Sequence, residues 1–275
     1  MMFWQTYLPQ PILFSWSFIS IYWYGLIVVL AILLAAWYAM TIAKNKPAID
    51  YNKLDSLFFY LLIFSFIGAR LYHVFSFNWQ YYSQNLFDIV KIWQGGLAIQ
   101  GAILAGIVTV YFWFKKNMNS VKNKQKISFL QITDWLAPAL ILGQFLGRWG
   151  NYFNQELFGK PTNASYGIPI GFANRVEGYE NFSHFHPTFF YESILSLVLF
   201  FILYNLTKAK LKLGTITLIY LGGYSLIRFG LEFIRIDPAP MFLGLRLPQV
   251  VSLLVILAVI VLFKVIYKPL PKSGK

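Results

Sequence analysis

The chain has 275 residues, of which 58% are hydrophobic, 20% aromatic and 12% charged, with a mean hydropathy of +0.57. Soluble domains carry roughly 25% charged residues, so a soluble fold is excluded and a polytopic membrane protein is indicated. The net charge is +13, but the basic residues sit in short segments between apolar runs, so membrane topology accounts for them better than nucleic acid does. There is no cysteine, which excludes disulfides, thiolate metal sites and a cysteine nucleophile within the chain.

Residues 1–20 carry no Lys or Arg, so they do not read as a secretory signal peptide. They are aromatic and contain proline, and are expected to lie along the membrane interface as an arm. Seven apolar runs follow: Trp23–Ala43, Leu54–Phe77, Gly95–Phe114, Ile127–Trp149, Phe189–Leu206, Thr215–Phe233 and Pro248–Ile266. Each approaches or exceeds the ~20 residues that span a bilayer. The expected fold class is therefore all-α, with seven transmembrane helices in a single membrane domain, 1–275.

The lysines set the orientation. Fifteen fall in the segments after runs one, three and five and at the C-terminal end: Lys44, Lys46, Lys53, Lys115, Lys116, Lys122, Lys124, Lys126, Lys208, Lys210, Lys212, Lys264, Lys268, Lys272 and Lys275. The other side holds Lys91, Lys160, Arg175, Arg235 and Arg246. Basic residues collect in cytoplasmic loops, so the N-terminus is expected outside and the C-terminus in the cytoplasm.

Three arginines remain inside runs two, four and six: Arg70, Arg148 and Arg228. An arginine at such depth costs several kcal/mol unless it is partnered, and so marks a functional site. Helical rise places all three within roughly 10 Å of the outer surface. Tyr22 and Tyr24, Gln100, and Tyr191 with Glu192 lie at the same level, at the outer ends of runs one, three and five. Arg228, Glu232 and Arg235 follow i, i+4, i+7 spacing and share one helical stripe. A polar, arginine-rich site in the outer half of the bundle is the expectation. Asp134, in the inner half of run four, stands apart from it and is expected to have a structural partner.

The stretch Gly143–Gly159, GQFLGRWGNYFNQELFG, concentrates this chemistry. Arg148 and Asn151 are three apart and share a helix face. Residues 150–188, rich in Gly, Pro, Asn and aromatics, read as a small extracytoplasmic cap. Asn163-Ala164-Ser165 and Asn181-Phe182-Ser183 match the glycosylation pattern, which arises often by chance. The run Gly95-Gly96-Leu97-Ala98-Ile99-Gln100-Gly101-Ala102 lacks the strand and spacing of a phosphate-binding fingerprint. Ala98, Ala102 and Gly106 at four-residue intervals instead predict close helix packing, with room for a ligand beside Gln100 as the other reading.

Guanidinium groups suit phosphate, because they donate paired hydrogen bonds and stay charged. Arginines at headgroup depth therefore point to an anionic phospholipid. No metal-ligand cluster is visible, since His73, His184 and His186 have no paired spacing, and no G-x-S-x-G elbow occurs.

The stretch Gly147–Gly159, GRWGNYFNQELFG, resembles the signature of the prolipoprotein diacylglyceryl transferases of bacterial inner membranes. Further matches are Tyr22-Trp23-Tyr24-Gly25, Gly68-Ala69-Arg70-Leu71, the glycine run at 95–101, His186-Pro187-Thr188 with Tyr191-Glu192, and Arg228-Phe229 with Glu232 and Arg235. They occur in the family's order.

The resemblance implies a reaction: the diacylglyceryl group of phosphatidylglycerol passes to the lipobox cysteine thiol of a preprolipoprotein, a thioether forms, and glycerol phosphate leaves. It also implies an inner-membrane protein with its site toward the periplasm, outer arms, a periplasmic cap, lateral lipid access and no cofactor. Carried over, Arg148 would hold the lipid phosphate and Arg228 the charge on the departing phosphate. Tyr24 would donate to that phosphate. Asn151, Asn154 and Glu156 would orient the headgroup glycerol or brace Arg148. Arg70, Glu232 and Arg235 would support the arginines, with Glu232 keeping Arg228 in place. The missing cysteine fits, because the nucleophile belongs to the peptide.

One position departs from the family pattern. Many members carry His where this chain has Gln100, and glutamine cannot take a proton near neutral pH. Either another group acts, with His186 a candidate, or the arginine field lowers the thiol's ordinary value near 8.5 enough by itself. Two other readings of the same arginines are a phospholipid or organic-anion transporter and a non-catalytic lipid-binding scaffold.

Overall fold

A computed structural model describes residues 3–17, 19–44, 51–92, 95–118 and 128–267. Its long helices are α1 (Trp23–Lys44), α2 (Tyr51–Phe77), α3 (Ile99–Met118), α4 (Phe129–Phe153), α5 (Thr188–Leu206), α6 (Thr215–Leu231) and α7 (Leu247–Ile266). Each of the seven apolar runs therefore contains a long helix, with residues 95–98 of the third lying ahead of α3. Helices α1, α2, α4, α5 and α7 contain stretches long and apolar enough to cross a membrane. Helix α6 is apolar but has 17 residues. Of the lysines that set the expected orientation, Lys46, Lys122, Lys124, Lys126, Lys268, Lys272 and Lys275 lie outside the described residues.

The chain divides into two compact units, Met1–Ala39 with Thr133–Lys275, and Met40–Ile132. In the second, α2 crosses α3 at glycines. A Cβ on Gly68 would lie 2.6 Å from the Gly101 carbonyl oxygen, and a Cβ on Gly101 would meet Gly68 backbone in turn. Small residues let helix backbones approach in lipid, where no hydrophobic force between helices is available. The closest approach is thus made by Gly68, Gly101 and Ala105, one position off the stripe of Ala98, Ala102 and Gly106, although Gly106 also faces Ser65. The Ala98 amide donates to the Ala69 carbonyl at 3.0 Å, and Trp113 Nε1 to Ser56 Oγ at 3.0 Å.

Arg70 ties the same unit's connecting loop. Its Nε donates to Ile89 O at 2.8 Å, Nη1 to Gly95 O at 2.6 Å and Gly96 O at 3.0 Å, and Nη2 to Asp88 O at 2.7 Å. Gly95 and Gly96 have φ of +85° and +76°, which turns their carbonyls onto the guanidinium. A Cβ on Gly96 would lie 2.6 Å from Arg70 Nη1, so this turn requires glycine on two grounds.

The first unit holds α5, α6 and α7, most of α1 and α4, and three two-stranded antiparallel ribbons: β1 (Ile12–Trp16) with β2 (Ile19–Tyr22), β3 (Ile168–Pro169) with β4 (His184–Phe185), and β5 (Met241–Phe242) with β6 (Leu245–Arg246). Helix α4 runs to Phe153, so the segment read as a cap begins as helix. The remainder closes over a small core of Phe158, Ile168, Ile170, Phe185 and Phe189, flanked by Trp149 and Tyr152 of α4. Buried Gln155 pins it, donating to Pro9 O at 2.7 Å and accepting from Gly171 N at 2.6 Å.

Asp134 has a structural partner. From α4 its carboxylate accepts the Gly214 amide at 2.7 Å, the Thr217 amide at 2.8 Å and the Thr217 hydroxyl at 2.7 Å. It therefore caps the N-terminus of α6 from a neighbouring helix, where orphan amides and the helix dipole favour a negative charge. Asp134→Ala is expected to cost about 1–2 kcal/mol, the range for a lost cap. A lowered unfolding temperature in detergent with unchanged kcat is the expected outcome. A loss of kcat with stability intact would assign Asp134 to the chemistry instead.

Candidate functional site

The site is assembled in the first unit from the ends of α4, α5 and α6. Helix α4 carries Arg148 near its C-terminal end, α5 opens with Thr188 and buries Glu192 in its second turn, and α6 carries Tyr224 and Arg228 one turn apart. Glu192 is the point of convergence and is 1% exposed. Its Oε1 receives Arg148 Nη2 at 2.7 Å and the Tyr224 hydroxyl at 2.8 Å. Its Oε2 lies 3.5 Å from Arg228 Nη1 and 3.8 Å from Arg235 Nη1. Arg148 Nη2 also donates to the Tyr224 oxygen at 2.9 Å. One carboxylate thus faces three guanidinium groups.

A second buried carboxylate continues the network. Glu232 Oε2 lies 3.1 Å from Arg228 Nη2 and 3.8 Å from Arg235 Nε, and its Oε1 lies 2.9 Å from Arg246 Nε. Arg235 Nε donates to Asp237 Oδ1 at 2.8 Å. Arg246 Nη1 donates to Arg235 O at 2.6 Å, and Nη2 donates to Asp237 O. Four guanidinium groups therefore interleave with the carboxylates of Glu192, Glu232 and Asp237. Removing charges from water costs several kcal/mol each, and such burial holds only when every charge has partners.

On its other side Arg148 Nη1 reaches Asn151 Oδ1 at 3.4 Å. Asn151 Nδ2 donates to Glu156 Oε1 at 2.8 Å, and Asn154 Nδ2 approaches the same oxygen at 3.4 Å. The chain delivers Glu156 by a strained turn, with Gln155 at φ +52° and Leu157 at φ +55°. Left-handed backbone in residues other than glycine persists only where surroundings enforce it. Here the Gln155 bonds and the Thr188 hydroxyl on Leu157 O do so. Tyr24, at the start of α1, lays its ring against Gly150, where a Cβ would sit 2.8 Å from Tyr24 Cδ2. The glycine between Arg148 and Asn151 is thus the seat of an aromatic ring.

The residues expected at the site are divided between the two units. Arg148, Asn151, Asn154, Glu156, Arg228, Glu232, Arg235 and Tyr24 lie in the first unit, the first seven in one connected polar network. Arg70 and Gln100 lie in the second unit: Arg70 is committed to loop carbonyls, and Gln100 is exposed in the first turn of α3. His186 Nδ1 lies 3.1 Å from the Tyr191 hydroxyl, and burial holds its imidazole below the ordinary value, which weakens it as a base.

Glu192, expected from sequence at this level but with no role assigned to it, joins the network with three residues not expected there: Tyr224, Arg246 and Asp237. Glu192 and Tyr224 are central, while Arg246 and Asp237 brace Glu232 and Arg235. Arg235 and Arg246 count by position as exposed loop charges, yet both have buried ion-pair partners, Glu192 and Glu232 for Arg235 and Glu232 for Arg246. A signal was present for Tyr224, since Tyr220, Tyr224, Arg228 and Glu232 recur every fourth residue along one face. Nothing in sequence spacing relates Glu192 to Arg148, because the two are 44 positions apart on different helices.

The sequence model of the prolipoprotein diacylglyceryl transferase family matches residues 11–265. The chain is similar to the phosphatidylglycerol–prolipoprotein diacylglyceryl transferase of Thermosynechococcus vestitus, at 40% identity over 93% of each chain. It is 38% identical to that of Synechocystis, over 93% of this chain and 88% of the relative. It is 37% identical to that of Staphylococcus aureus, over 94% and 91%.

Proposed function

The chain belongs to the prolipoprotein diacylglyceryl transferase family, and from that premise we propose that it moves the diacylglyceryl group of phosphatidylglycerol onto the lipobox cysteine thiol of a preprolipoprotein. The C–O bond between the lipid glycerol and the phosphate breaks and a C–S bond forms. Glycerol phosphate departs with the electron pair, and the thiol proton is lost to solvent. The observation that carries this reading is the convergence of Arg148 and Arg228, from separate helices, on the two oxygens of Glu192. No observation favours the transporter reading.

In this proposal Arg148 grips the lipid phosphodiester and Arg228 meets the charge that grows on the leaving phosphate. Preorganised cations aimed at developing charge are usually the largest catalytic contribution. Tyr24 donates to the phosphate, and Asn151, Asn154 and Glu156 orient the glycerol headgroup. Glu232 and Arg235 hold Arg228, and Arg70 acts indirectly, through the loop it ties. The chain acts as one membrane domain, 1–275, crossing the bacterial inner membrane seven times, N-terminus outside and C-terminus in the cytoplasm. Residues 1–20 form the arm and 150–188 the periplasmic cap. The lysine distribution and the helices at all seven apolar runs support that topology.

The test is purified protein with phosphatidylglycerol and a lipobox peptide. Peptide gaining the diacylglyceryl mass, with glycerol phosphate released in equal amount, is the expected result. Neither appearing would overturn the reading. At Gln100 the arginine field is taken to suffice for the thiol, so Gln100→His is expected to keep kcat within about threefold of the parent, since a replaced group without a proton-transfer role has little effect. A dead Gln100→His protein, folded by its unfolding temperature, would show that the site depends on the glutamine.

A further inference from the structure

The connection between α6 and α7 ends in a hairpin with an apolar tip. Residues 238–245, Pro-Ala-Pro-Met-Phe-Leu-Gly-Leu, contain no charged or polar side chain. Strands β5 and β6 pair Met241 with Arg246 and Phe242 with Leu245. The two turn residues have positive φ, Leu243 at +49° and Gly244 at +77°, as a tight two-residue hairpin turn requires. This conformation presents the least polar side chains outward: Met241 is 64% exposed, Phe242 57% and Leu243 88%.

The base of the hairpin is rigid. Arg246 makes the hydrogen bonds to Arg235 O and Asp237 O and pairs with Glu232, its amide donates to Gln249 Oε1 at 3.0 Å, and the Leu247 amide donates to Pro240 O at 2.7 Å. An apolar tip on a clamped base is held out, and does not fold back onto the protein. Helix α7 begins one residue later. It is one of the helices apolar enough to cross a membrane, and its exposed Leu247, Val251 and Leu254 form an i, i+4, i+7 stripe. The uncharged tip is continuous in sequence with that apolar helix and its exposed stripe, which argues for one apolar surrounding for both.

We propose that the Met241–Arg246 hairpin is a finger inserted into the lipid at the membrane interface beside α7, its occupant being the headgroup–acyl boundary of the bilayer. Apolar side chains held at the end of a spanning helix bind there by burying apolar area. Because Arg246 pairs with Glu232, and Glu232 with Arg228, the finger fixes the depth of the arginine network relative to the lipid. The inference rests on the membrane-spanning character of the chain and not on its reaction.

The absence of cysteine permits a direct test. Met241→Cys, Phe242→Cys and Leu243→Cys, each made separately, are labelled with an environment-sensitive fluorophore and reconstituted into phosphatidylglycerol–phosphatidylcholine vesicles. Glu177→Cys, on an exposed polar turn, is the reference. Tip labels are expected to emit blue-shifted light and to lose about half their intensity to lipid spin-labelled near the headgroup, as interfacial residues do, while the reference is unaffected. Water-like, unquenched emission at the tip would overturn the proposal. So would blue-shifted emission that lipid spin labels do not quench, which means that protein and not lipid covers the finger. Neither outcome bears on whether the chain transfers diacylglyceryl groups.

Discussion

Arg148→Lys is expected to lower kcat/KM for phosphatidylglycerol by about 10²–10³, the scale of losing a preorganised donor to developing charge. The reason is geometric. Arg148 Nη2 serves Glu192 Oε1 and the Tyr224 oxygen together, while Nη1 faces Asn151. A planar fork can hold those partners and still present further N–H groups to a phosphate. A lysine ammonium keeps the charge but has three donors on one atom. It can satisfy Glu192 or reach the lipid, not both. Since Glu192 stays paired, the unfolding temperature should fall little, and that separates a catalytic loss from a folding one. Near-parental kcat/KM in the lysine variant would refute the phosphate grip.

Glu192→Gln is expected to damage stability as well as activity. The substitution leaves three guanidinium groups facing a neutral amide at a residue that is itself 1% exposed. Removing one partner from a buried ion pair costs about 3–5 kcal/mol, because the remaining charges stay uncompensated. A lowered unfolding temperature in detergent should accompany loss of transfer, and high ionic strength should not restore either, since a buried network is screened little. Glu192→Asp keeps the charge but shortens the reach by one methylene, so a single carboxylate can no longer bridge Arg148 and Arg228. Its expected signature is a smaller stability loss with a kcat loss comparable to the glutamine variant. Parental stability and activity in Glu192→Gln would show that the arginines do not depend on it.

Much of this protein is legible one residue at a time. Apolar runs of bilayer length force helix, because backbone groups in lipid must bond within their own segment, and all seven runs contain a long helix. Arg148 and Arg228 announce themselves by the cost of charge in an apolar run. Arg228 and Glu232 are legible as a pair because one helical turn separates them, and their nitrogen and oxygen lie 3.1 Å apart. Asp134 is visible as an anomaly, but its partners Gly214 and Thr217 are some 80 positions away.

Composition and local spacing thus determined by themselves that the chain is helical and suited to a membrane, and that Arg148 and Arg228 lie inside apolar runs. Those are consequences of solvent and of near neighbours along one helix. Only the tertiary structure decided that Glu192 joins Arg148 to Arg228, that Arg246 and Asp237 belong to the same network, that Arg70 is consumed by its own loop, and that α2 crosses α3 at Gly68 and Gly101. Each of these depends on how separate helices are rotated and set in depth against one another. Packing of whole surfaces settles that, and a pattern within one segment carries no record of it.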